Sequence, residues 1–188
     1  MSDDKLFHRL LDVIENDIAP LTARGVETGS RVFGAAVLRG DLSLVVAETN
    51  HVAFSPLWHG EIYTIKLFFE LQGHPDPGDC VFLATHQPCC MCASALAWSG
   101  FREIYYLFDY DQTRDTFNMP HDAMMNREIF GCDEPRAQNR YFEWRSLCAM
   151  IGRLPDPAQA RARVDKLAAI YARFSKTAAE NESRTLKV

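Results

Sequence analysis

The chain has 188 residues, 47% of them hydrophobic and 24% charged, with a formal net charge of −5. That size and balance suit one soluble globular domain with a full apolar core. No stretch is long and apolar enough to span a bilayer, and "MSDDKLFHRL" lacks a basic segment followed by an apolar run, so no membrane association and a cytoplasmic location are expected.

Charge is unevenly spread. Residues 1–135 carry 9 Lys/Arg against 20 Asp/Glu, a balance of −11, whereas 136–188 carry 11 against 5, a balance of +6. The basic residues are interspersed with acids, which reads as a solvated helical surface ahead of an RNA-binding patch. The cysteines are Cys80, Cys89, Cys90, Cys92, Cys132 and Cys148. A domain of this size needs no disulfide staples, and three cysteines within four positions suit metal binding better than cross-linking. Cys80, Cys132 and Cys148 read as small buried apolar residues.

Leu6, Leu10, Ile14 and Ile18 recur every four residues, one face of an amphipathic helix with Asp3 and Asp4 near its start. "RVFGAAVL" (31–38) and "LSLVVAET" (42–49), parted by "RGD", read as an antiparallel hairpin. "HGEIYTIKLFFELQG" reads as a buried helix ending at Gly73. "CVFLAT" (80–85) is a continuous apolar run, as expected of a strand buried on both faces. Pro88 and Gly100 punctuate a helix, and "EIYYLF" (103–108) is another strand. The strand–helix–strand order predicts that these two strands are parallel. Residues 109–135 read as a long loop with one helical turn, and helices are expected over about 136–151 and 157–176. Val164, Leu167, Tyr171 and Phe174 mark the face of the second. The whole is one α/β domain over 1–178, with a C-terminal helical extension and a flexible tail over 179–188.

Two short stretches carry chemistry. Alone, His59 reads as a core histidine and Glu61 as a solvated carboxylate. "QPCCMC" (87–92) changes that reading. Cys89 and Cys92 are three apart at a helix start, so both thiols share a face where the helix dipole favours thiolate. Catalytic zinc takes three imidazole or thiolate ligands and keeps a fourth position for water, and His59, Cys89 and Cys92 supply three. Glu61, two residues beyond the histidine, should project beside that water and move its proton. Cys90 lies about a hundred degrees off the ligand face and is expected to pack against the sheet. His86 is expected to point away from the helix that carries the cysteines.

The pattern "HGE…PCCMC" resembles the zinc-dependent cytidine deaminase-like superfamily, whose nucleobase and nucleoside deaminases share the H-x-E…P-C-x-x-C signature. "FGAAVLRGDLSLVVAETN" is similar to the first hairpin of that family, and "ALAWSGFREIYY" to its helix and strand after the cysteines. The likeness covers residues from about 5 to 110. It implies a three-layer α/β/α fold with a mixed central sheet, the first hairpin antiparallel and the later strands parallel. It also implies a Zn2+ cofactor, Glu61 as the catalytic acid–base, and a homodimer. Asn50 would hold the substrate through its amide, Phe33 and Ala35 would line the pocket, and Gly60 would offer a backbone N–H to the base. Most relatives carry alanine at Gly60 and many carry glutamate at Gln87.

The expected function is hydrolytic deamination of a free nucleobase or nucleoside of the cytosine or guanine type, with release of ammonia. The acidic main body argues against a nucleic-acid groove. The alternative within enzymes is an adenosine deaminase acting on transfer RNA through the basic C-terminal segment. The alternative outside enzymes is a structural zinc module, which needs a fourth protein ligand. Residues 109–135 are expected to cover the pocket: Asp109 and Tyr110 leave the carboxyl end of a strand and could reach a bound base, while Phe117 and Met119 could shield it. His121 is a further candidate for a contact there.

Overall fold

The computed structural model describes residues 2–115 and 124–185. Helix α1 (Asp3–Val13) is capped by Ser2, whose Oγ accepts the Lys5 N–H at 3.3 Å. It passes through a π-helical turn (Ile14–Ile18) into α2 (Ala19–Glu27). The wider turn sits just before Pro20, whose missing N–H and ring cannot continue an ordinary helical ladder. Strands β1 (Gly34–Arg39) and β2 (Leu44–Thr49) then form an antiparallel hairpin. Helix α3 is Gly60–Glu70, β3 is Cys80–His86, α4 is Cys90–Ser99 and β4 is Glu103–Phe108. Gly100 ends α4 in the left-handed region at φ 86°, a conformation that glycine adopts without penalty.

With a short edge strand β5 (Glu143–Ser146), the sheet has five strands in the order β2-β1-β3-β4-β5. β1 is antiparallel to both β2 and β3, whereas β3, β4 and β5 run parallel. The central strand β3 is buried at every position, which explains its unbroken apolar run. One face of the sheet is covered by α1, α2 and the C-terminal helix (Pro157–Thr185), through Leu10, Ile14, Leu83, Tyr105, Leu167 and Tyr171. The other face is covered by α3 and α4, through Val37, Phe68, Phe82, Leu96, Phe101 and Ile104. This is the mixed three-layer architecture the sequence led to.

Several local expectations are corrected. The helix expected over 136–151 is instead the short edge strand β5 (Glu143–Ser146) followed by one helical turn (Leu147–Met150). Phe142 and Trp144 are buried while Arg145 is exposed, so the alternation of a strand is present, but over too few residues to stand out. Helix α3 ends at Glu70, short of Gly73, and α2 continues the first helix to Glu27. Within 109–135, where a long loop with one helical turn was expected, there are two helical pieces, helix α5 (Tyr110–Asp115) and a π-helical turn (Asn126–Phe130). Phe117, Met119 and His121 lie outside the described residues. The C-terminal helix runs past its expected end at 176. No helix among the described residues is long and apolar enough to cross a membrane.

Candidate active site

Two helix starts meet beyond the sheet. His59 is the residue before α3 and Cys89 the residue before α4, and neither side chain caps its own helix. Cys92, one turn on, is fully buried. His59 Nδ1 lies 3.6 Å from Cys89 Sγ and 3.7 Å from Cys92 Sγ. One donor atom from each of the three residues falls within 4.8 Å of the others. Neither His86 nor Cys90 belongs to this cluster, so among the described residues it has no fourth protein member. One imidazole nitrogen and two sulfurs at this separation suit zinc with one position open, and they do not suit a closed structural site. Contacts with Cys92 and then His59 hold the Cys89 thiol down at about 4, well below its ordinary 9, so the ligand form prevails at neutral pH.

Glu61 lies in the first turn of α3 and is only 4% exposed. Burying a carboxylate is costly unless a cation or donors compensate it, and a metal ion at the neighbouring triad would do so. The close approach of α3 to the sheet depends on Gly60. A Cβ there would lie 2.7 Å from both Gly34 Cα and Phe33 O. Gly34 is itself tight, since its own Cβ would lie 2.4 Å from Ile18 Cγ2. Sequence reasoning assigns Gly34 no role, although "FGA" and "HGE", each with a central glycine, are the signal that could have shown it.

Asn50 is completely buried, and its Oδ1 accepts the N–H groups of Arg31 and Val52, each at 3.1 Å. Its Nδ2 has no hydrogen-bond partner among the described residues. With the oxygen committed, the amide offers a donor. Phe33 is half-buried and lies nearly parallel to the His59 ring, 9° apart with centroids at 6.2 Å. Ala35 is fully buried in the core between the sheet and α3. Asp109 uses Oδ1 to accept the Gln112 N–H at 2.8 Å, and its own N–H reaches Gln112 Oε1, a capping box at the start of α5.

His86 faces away from the triad, as expected. Its ring packs on Phe33, Phe108 and Tyr171, and burial lowers its pKa to about 3, so it is neutral. Cys90 is buried and stands outside the metal cluster. It lines a groove beside α4 with Cys132 and Trp98. Cys132 and Cys148 are less buried than expected. Gln87 ties the later segment to the cysteine loop: its Nε2 donates to Glu134 at 2.8 Å and its Oε1 accepts the Tyr110 N–H at 3.3 Å. The Tyr110 hydroxyl donates to Pro88 O at 2.6 Å. Glu134 had no marker in the sequence, because its partner lies 47 positions away.

A five-stranded mixed sheet, a His/Cys/Cys triad and a buried glutamate two residues beyond the histidine mark a zinc-dependent hydrolytic deaminase. Residues 17–108 match the cytidine and deoxycytidylate deaminase zinc-binding region. The chain is 27% identical over 113 residues to the guanine deaminase of Bacillus subtilis (strain 168), a match covering 58% of this chain and 70% of that protein. The X-ray structure of guanine deaminase from Bacillus subtilis superposes with a TM-score of 0.53 at 20% identity, covering 77% of this chain and 85% of the other. A structure from work on A-to-I editing by tRNA:A34 deaminases superposes with a TM-score of 0.52 at 19% identity, covering 77% and 99%. At these identities the two superpositions show the shared fold.

Proposed function

We propose that the chain deaminates a free nucleobase or nucleoside, with a guanine-type base as the first substrate and a cytosine-type base as the second. The observation that carries this is the His59, Cys89 and Cys92 cluster, with Glu61 buried two residues beyond His59 in the first turn of α3. The guanine preference rests on the 27% identity to a guanine deaminase. In this reading His59, Cys89 and Cys92 hold Zn2+. The metal, when bound, supplies an acidified water.

The Glu61 carboxylate takes one proton from the attacking water and gives it to a ring nitrogen, then takes a second from the hydroxyl left on the attacked carbon and gives it to the departing amine, which leaves as ammonia. Its burial keeps bulk water from competing for those transfers. Asn50 Nδ2 donates to an acceptor on the base, since its Oδ1 is already engaged. Phe33 and Ala35 shape the wall, Gly60 offers its backbone N–H, and Asp109 orders the segment that borders the opening. The single domain extends over 1–178, and the C-terminal helix runs on to Thr185 in place of a tail from 179, with Asn181 Nδ2 donating to Val26 O at 2.8 Å.

The transfer-RNA alternative draws on the basic C-terminal segment. Two of those bases are already paired, since Arg163 reaches Asp12 at 2.7 Å and Lys166 bonds Glu15. Free cysteines fit the reducing cytoplasm. A homodimer is supported by the apolar groove of about 710 Å³ beside α4, where Trp98 is 93% exposed. An ammonia-release screen over bases, nucleosides, nucleotides and transfer RNA, repeated across salt concentrations, tests the substrate. Turnover of a free base that is insensitive to salt is expected. Turnover of transfer RNA alone, falling steeply with salt, would replace this reading with the RNA one.

A further inference from the structure

The C-terminal helix lies wholly beyond the matched region 17–108, yet its Tyr171 reaches the back of the site. Tyr171 is completely buried. Its ring meets His86 at 5.7 Å and Phe108 at 5.5 Å. His86 in turn meets the edge of Phe33 at 4.8 Å, and Phe33 lies parallel to His59. A continuous line of rings therefore joins the C-terminal helix to the pocket wall and the metal triad.

The backbone of that wall is clamped by the same neighbours. Phe33 O accepts the Asn50 N–H at 2.7 Å and the Thr49 hydroxyl at 3.2 Å. The Gly34 N–H donates to Thr85 Oγ1 at 3.0 Å. Thr85 Oγ1 also lies 3.1 Å from Gly34 O and 2.9 Å from His86 Nδ1. One hydroxyl proton cannot serve both Gly34 O and a bare Nδ1. A neutral His86 carrying its proton on Nδ1 satisfies all three contacts, and that fixes its ring. Thr49 is joined to Thr22 at 3.1 Å, and the Tyr171 hydroxyl faces Thr22 and Thr85. Tyr171 thus backs both threonines and the His86 ring.

We propose that Tyr171 is a positioning residue for substrate binding, acting through His86 to hold Phe33 flat beside the metal triad. The inference rests on the deaminase reading for its kinetic part alone. The test compares Tyr171→Met, which stays apolar and loses the ring, with Tyr171→Phe, which keeps the ring, and with His86→Met, which breaks the line from its other side. Crystal structures of the zinc-loaded variants report the Phe33 orientation, and steady-state kinetics use guanine and cytosine. The Met variants should turn Phe33 away from His59 and raise KM by about threefold to tenfold, the worth of one aromatic contact, with kcat nearly unchanged. Tyr171→Phe should restore both. Met variants with Phe33 still parallel and KM unchanged, or with only a lowered Tm, would overturn the proposal. If the wild-type chain turns over neither base, the substrate reading fails while the Phe33 orientation still decides this one.

Discussion

Gly60 and Gly34 meet backbone to backbone: a methyl group on Gly60 would stand 2.7 Å from Gly34 Cα and 2.9 Å from Gly34 N. Backbone cannot swing aside as a flexible side chain can. Gly60→Ala should therefore push the start of α3 off β1 and move His59 and Glu61 with it. Overpacking of this kind costs about 1–3 kcal/mol. Thermal or denaturant unfolding should show that loss, and metal analysis should show weaker zinc retention. A variant of wild-type stability and zinc content would mean that the helix start yields without strain.

Glu61→Gln keeps the shape and removes the base. It should lower kcat by about 10²–10⁴-fold or more, since general acid–base groups contribute on that scale. Zinc content should stay at one per chain, because the cluster consists of His59, Cys89 and Cys92 without the glutamate. His59→Ala should lose both zinc and activity. Zinc loss from the Glu61 variant would assign the carboxylate a structural part instead.

Acid should act on the site through Cys89. Its thiol is held at about 4 by Cys92 and His59, below the ordinary 9. A depressed pKa stabilises the fold fully above the unfolded value, and that contribution falls away as pH drops toward the folded value. In metal-free protein the thiolate ultraviolet absorbance should persist from neutral pH down toward 4 and vanish below it. His59→Ala should move that transition upward, because the His59 contact is the second lowering influence. Burial raises the thiols of Cys80 and Cys148, so they should contribute no thiolate signal at neutral pH. A transition near the ordinary value in the wild-type chain would contradict the triad geometry.

Trp98→Glu tests the homodimer. Trp98 is 93% exposed beside Phe130 and Tyr141, and a charge placed there should oppose burial of the groove against a second copy. Sedimentation should show a dimer for the wild-type chain and a monomer for the variant, with helix content unchanged by circular dichroism. A monomeric wild-type chain would remove the self-association reading.

The candidate ligands were legible because zinc demands particular donors and because "HGE" and "PCCMC" each lie within one short segment. The βαβ unit over 80–108 was legible from its apolar run and from the Pro88 and Gly100 punctuation. Strand β5 was not, since four residues hold only two turns of a period-two pattern and a capped helical turn follows at once. The capping role of Asp109 lay in "DYDQ", where Asp and Gln stand three apart, but no apolar stripe followed to mark a helix.

The chain by itself thus determined the chemistry: which atoms can hold a metal, which carboxylate stands beside them, and the layers that carry both. Only the tertiary structure decided how close they come and what lies behind them. The contact of Gly60 with Gly34 and the line from Tyr171 through His86 to Phe33 join residues far apart in sequence. No local periodicity encodes such distances. They follow from where the sheet order and helix packing bring the backbones together.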